Sequence, residues 1–162
     1  MSNNSPKRAF GSSAKNKRKE VNLDLSTAQN MLPLVRSIVQ DIVVMQEKLI
    51  RLQPEQENLE RHRRELVWQE RDRRYQIEEE LVAAGKKLKE AITELGGLGV
   101  SLLDGQRGYI AFPTRINGRS AVFSWQPGEE NVVFWSYEEE ELRRPIPSDW
   151  TSGTPMRMKS KP

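Results

Sequence analysis

With 162 residues, 36% of them hydrophobic and 30% charged, the chain has the length of one domain with a modest core under a large surface. It contains no cysteine and a single histidine, His62, which excludes disulfides, thiolate nucleophiles and metal centres built from Cys or His. The net charge of +3 conceals an asymmetry: residues 1–20 carry +5 and residues 151–162 carry +3, so residues 21–150 carry the remaining −5.

Residues 1–20 are rich in Ser, Asn and Lys, and their basic residues are Lys7, Arg8, Lys15, Lys17, Arg18 and Lys19. A segment with so few apolar side chains cannot offset its ordering entropy, and the same holds for the last dozen residues, so both ends are expected to be disordered. Two readings stand for these tails: weak, nonspecific association with DNA or RNA by counterion release, or solubilisation alone. Phe10 is their one aromatic, which leaves little for base stacking. No apolar stretch approaches the length of a bilayer span and no apolar run follows the basic N-terminus, so a cytoplasmic protein without a membrane partner is expected.

Val21-Asn22-Leu23-Asp24-Leu25 alternates apolar and polar residues, a short strand signal. Ser26 then offers an N-cap and Pro33 falls near the start of a helix. From Ala28 the apolar residues recur in heptads, Ala28, Val35, Ile42 and Leu49 with Met31, Ile38, Met45 and Leu52, which predicts a coiled-coil-like helix. Pro54 predicts its end near Gln53 and a second helix from about Glu55 to Leu95, where Gly96, Gly97 and Gly99 stop it. The second helix repeats Ile77, Ala84 and Ala91 with Leu81, Leu88 and Leu95.

A reversal at Gln53-Pro54 would set residues 31–52 opposite 55–76, where the second helix offers few apolar residues. Leu34, Val43, Val44 and Ile50 would then lie off the covered stripe. Leaving them wet is unfavourable at about 25 cal/mol per Å², so a homodimer of two hairpins is expected, with these four residues at its interface. The competing expectation is that the following β-region folds back over the first helix.

Residues 108–137 hold a proline, an Asn-Gly turn, a Pro-Gly turn and most of the aromatics, and read as a compact β-meander. Asn117-Gly118 predicts a two-residue type I′ hairpin, which pairs Phe112 with Phe123 and Ile110 with Trp125 on one face. Pro113 must then sit at an edge or a bulge, and the aromatic face is expected to dock on the far end of the second helix. The fold class is therefore α+β: a long antiparallel two-helix hairpin over 27–95, then a small antiparallel sheet over 100–137, in one domain spanning 21–150.

The block from Leu95 to Trp150 resembles a bacterial and archaeal family known as domain of unknown function 2203. The residues that carry the likeness are Gly99-Val100, Gly108-Tyr109-Ile110-Ala111-Phe112-Pro113, Gly118-Arg119, Ser124-Trp125, Gly128-Glu129 and Trp135-Ser136. Ala111, Ser124 and Ser136 stand where the family pattern has Asp, Cys and His. The resemblance implies the fold and no activity, and it implies that any chemistry built on those three positions is missing from this chain.

Arg61, Arg63, Arg64, Arg71, Arg73 and Arg74 could track phosphates, yet Glu60, Glu65, Glu70 and Asp72 are interleaved at helical spacings, which favours a salt-bridged face. Arg119, Trp125, Glu129, Trp135, Arg143 and Arg144 are candidates for a ligand or partner surface beside the sheet, against the reading that the tryptophans are core and the charges rim. No phosphate loop, zinc spacing or nucleophile elbow occurs. The sequence thus points to a non-enzymatic interaction or scaffold protein with no cofactor or metal, self-associating through its hairpin.

Overall fold

The structure is a computed structural model that describes residues 21–152. Helix α1 spans Leu25–Arg61 and helix α2 spans Trp68–Gly97. They are followed by a sheet of five antiparallel strands in sequence order: β1 (Ser101–Asp104), β2 (Tyr109–Ile116), β3 (Arg119–Trp125), β4 (Phe134–Tyr137) and β5 (Arg144–Pro145). The fold is α+β, a helical hairpin with a small antiparallel sheet.

Asp24 caps α1, its carboxylate accepting the Thr27 N–H at 2.8 Å. Residues 21–24 form no strand, and the cap is Asp24 rather than Ser26. The Leu23 N–H nevertheless donates to the Pro113 carbonyl at 2.7 Å, so this segment lies against β2 beyond the end of β1. Bonds from the Thr27 side chain and backbone hold the Asp24 carboxyl below the usual carboxylate range. A depressed pKa contributes stability above the unfolded value and loses it as pH falls through the folded one. Asp24→Ala is therefore expected to cost about 1 kcal/mol at neutral pH, and urea titrations of the two proteins should converge in strong acid.

Pro54 does not end α1, which continues 7 residues further to Arg61. A proline inside a helix costs about 3 kcal/mol. Against that, Leu52, Leu59, Leu66 and Ile77 form a buried cluster on both sides of it, and each such side chain contributes roughly 1.5–3 kcal/mol. Burial wins and the helix persists. The chain reverses instead through His62, a 3₁₀ turn at Arg63–Glu65 and the extended Leu66-Val67. The Val67 N–H donates to Glu70 Oε1 at 3.2 Å, capping α2.

Moving the reversal also moves the sheet's docking site. A single core joins Leu25, Ala28, Leu32, Val35, Val39 and Ile42 of α1 to Phe112, Phe123, Trp125 and Trp135 of the sheet, with Ala91 and Leu95 closing it from α2. The sheet therefore covers the first half of α1 as well as the end of α2. This is the competing arrangement, a β-region folded back over the first helix. Gln29 fixes it: its side-chain amide donates to the Val132 carbonyl and accepts the Val132 N–H.

The hairpin register is as the sequence predicts, with Phe112 opposite Phe123 and Ile110 opposite Trp125. Asn117 and Gly118 have φ of 57° and 77°, the paired positive values of a type I′ turn. Pro113 lies within β2 where β1 has already ended, so its missing N–H breaks no ladder bond on that side.

Candidate functional site

Successive strand residues point to opposite faces, and this separates the candidate surface residues. Trp125 and Trp135 belong to the core face, 2% and 8% exposed. The Trp125 indole N–H donates to the Glu129 carbonyl at 2.9 Å. On the outer face Arg143 lies over the Phe134 ring at 4.2 Å and donates to both Glu129 carboxylate oxygens, at 2.9 and 3.1 Å. Its remaining donors meet Ser124 Oγ at 2.9 Å and the Ser124 carbonyl at 3.3 Å. Arg143, Glu129 and Ser124 form one half-buried network that pins the loop after β3 to the chain before β5.

Arg144 turns to the other face, over Trp135 at 5.0 Å, and pairs with Glu140 at 2.7 Å. Arg119 lies over the Tyr137 ring at 3.7 Å and is bonded to Glu139, and Arg144 reaches the same ring at 5.5 Å. The six residues thus form two clusters rather than one pocket, Arg143 with Glu129 and Trp125 in one and Arg119, Arg144 and Trp135 around Tyr137 in the other. Each arginine already holds a carboxylate, so none is left to bind a substrate anion.

Ala111, Ser124 and Ser136 all lie on the outer face, on three successive strands. Ala111 is the direct cross-strand partner of Ser124, and Ser136 pairs with Val122, one step diagonal to Ser124. All three are buried. A methyl and two hydroxyls at these points supply neither a general base nor a metal ligand set. Among the described residues no group of three or more His, Cys, Asp or Glu is arranged to hold a metal ion.

The Arg-rich stretch forms ion pairs, two of which cross the reversal instead of following one helix. Arg73 meets Glu55 and Arg74 meets Glu60, each at 2.9 Å, and Arg63 also reaches Glu60. The bonds from Arg73 and Arg74 hold the Glu55 and Glu60 carboxyls below the usual range. His62 is exposed, with Nδ1 3.0 Å from the Asn58 carbonyl oxygen.

Of the four residues expected at a dimer interface, Leu34, Val44 and Ile50 are 50%, 46% and 46% exposed. Val43 is half-buried against the core. At about 100° per residue, Leu34, Val44 and Ile50 spread around α1 instead of forming one stripe. Val43 and Val44 open into a hollow of about 540 Å³ between α1 and the loop after β3, with Arg36, Trp125 and Pro127 on its other walls.

A better-aligned surface lies on α2. Trp68, Tyr75 and Val82 are 66%, 61% and 68% exposed and recur every seven residues, one stripe down the helix. The stripe is about half a turn from buried Ile77, Ala84 and Ala91. A reversal at Gln53-Pro54 would have set Trp68 and Tyr75 among the residues facing the first helix. The sign that they face away was present: the 68–75–82 heptad is out of phase with 77–84–91.

The basic residues Lys7, Arg8, Lys15, Lys17, Arg18 and Lys19 lie outside the described residues. Among the described residues no helix is long and apolar enough to cross a membrane. Compared with known families, residues 23–146 match the model described as "Uncharacterized conserved protein (DUF2203)". No curated protein and no solved structure matches the chain.

Proposed function

We propose that this chain, which belongs to the DUF2203 family, is a non-enzymatic cytoplasmic interaction or scaffold protein that self-associates through its helical hairpin. The exposed Trp68–Tyr75–Val82 stripe carries this reading. Trp68 and Val82 stand equally far from Tyr75, so a two-fold axis beside Tyr75 brings two antiparallel copies of α2 together with Trp68 of each against Val82 of the other. A surface that complements itself in this way suits an isologous contact. The flanking charges do not decide it: Arg71 would face Glu78 of the second copy, while Asp72 would face Glu79. The apolar stripe must supply the affinity, and a contact this narrow gives a concentration-dependent dimer. Leu34 and Val44, about 80° apart around α1, are the second candidate contact.

Light scattering of the full chain at high micromolar concentration is expected to give about twice 18.7 kDa. Trp68→Glu with Tyr75→Glu should return the monomer without loss of thermal stability, since both side chains are exposed. A dimer that survives this pair but dissociates with Leu34→Glu and Val44→Glu would move the contact to α1, and a wild-type monomer would refute self-association.

A further inference from the structure

The outer face of the sheet carries a trough of about 400 Å³ whose floor includes Ala111, Val122 and Ser136 and whose wall includes Glu138, Glu140 and Glu141. Its lining contains no cation. Glu140 is paired with Arg144, which leaves Glu138 and Glu141 to set its charge. Ser136 is 6% exposed and lines the trough.

We propose that this trough is the docking site of the chain's own basic N-terminal segment, with Lys17 placed against Glu138 and Glu141 and with Arg18 and Lys19 beside it. The first argument is position. The described chain begins at Val21, and two residues later Leu23 is hydrogen-bonded to Pro113, which itself lines the trough. Strands lie about 4.8 Å apart and an extended residue advances about 3.3 Å. Val21 lies against Gly99, just before β1, so the path to the end of β4, where Glu138 follows Tyr137, crosses about three strand spacings; roughly four or five residues cover it, which brings Lys17 to the glutamates with Arg18 and Lys19 just short of them.

The second argument is charge. Residues 1–20 carry a net +5 and residues 21–150 a net −5, so the segment and the surface attract before any contact forms. The third is the floor itself, where Ala111 and Ser136 are small, which suits an extended backbone carrying lysine and arginine stems. This inference does not depend on self-association.

Zero-length carbodiimide cross-linking of the full chain tests it, with equal parts of ¹⁴N- and ¹⁵N-labelled protein mixed beforehand. The expected products join Lys17 or Lys19 to Glu138 or Glu141 within one chain. They should be lost in Glu138→Gln/Glu141→Gln, and in about 1 M salt, where charges are screened beyond roughly 3 Å. Both glutamates are exposed, so the double variant should fold, and its circular dichroism checks that. Cross-links spread evenly over Glu78, Glu79 and Glu80 of α2, products that join ¹⁴N to ¹⁵N chains, or no product from the N-terminal lysines would each overturn the proposal.

Discussion

Gly108→Ala is expected to destabilise the fold by roughly 2–4 kcal/mol, measured by urea denaturation. Gly108 has φ of +73°, a left-handed conformation that costs a residue with a Cβ about 1–2 kcal/mol. A Cβ there would stand 2.8 Å from Val39 Cγ1 on α1 and 2.9 Å from Pro127 Cγ on the loop after β3. Neither neighbour can retreat cheaply, since Val39 is fully buried, and overpacking a filled core adds about 1–3 kcal/mol. Gly108 is thus where the turn after β1 comes closest to α1. A loss below about 1 kcal/mol would mean that the turn can shift off the helix, and the seam between sheet and hairpin would be looser than described.

Arg143→Ala should cost roughly 2–4 kcal/mol, for a different reason. The side chains of Arg143 and Glu129 are 21% and 16% exposed. Removing the cation leaves a mostly buried carboxylate unpaired, a far larger penalty than the worth of the pair itself. Arg143→Lys should recover little, because one ammonium cannot reach both Glu129 oxygens and Ser124 at once. Glu129→Gln keeps the loop bonded and should cost less than either. Arg119 and Glu139 provide the control: at 50% and 61% exposure their pair is screened by solvent, so Arg119→Ala should be nearly silent in the same assay. Equal losses at Arg119 and Arg143 would remove the distinction between a structural clamp and a solvated pair.

The parts of the fold fixed by local chemistry could be read from the sequence. Asn117-Gly118 admits one tight hairpin, and that hairpin places Phe112 and Phe123 together wherever the sheet docks. The apolar heptads similarly predicted two helices and their antiparallel packing. The position of the reversal was hidden because Pro54 is a strong local signal outweighed by a nonlocal one, the burial of Leu52, Leu59 and Ile77 across the hairpin. That displacement changed which residues needed cover, so the docking of the sheet on α1 went with it.

The candidate surface was legible as residues and not as an arrangement. Arg143 and Arg144 are adjacent in sequence, yet strand alternation sends one to Glu129 outside and the other to Trp135 inside. Their partners lie 14 and 9 positions back along the chain, separations to which no periodicity points.

The division of the interior into two clusters bears on the order in which the molecule is made. Leu52, Leu59, Leu66 and Ile77 lie within 26 residues of one another and can meet as soon as that stretch leaves the ribosome. Leu25 to Ile42 find their cover mainly in residues 110–137, which emerge far later, and contacts so distant in sequence form slowly. The first half of α1 is therefore made well before its cover and shielded late, and a holding chaperone would find its target there.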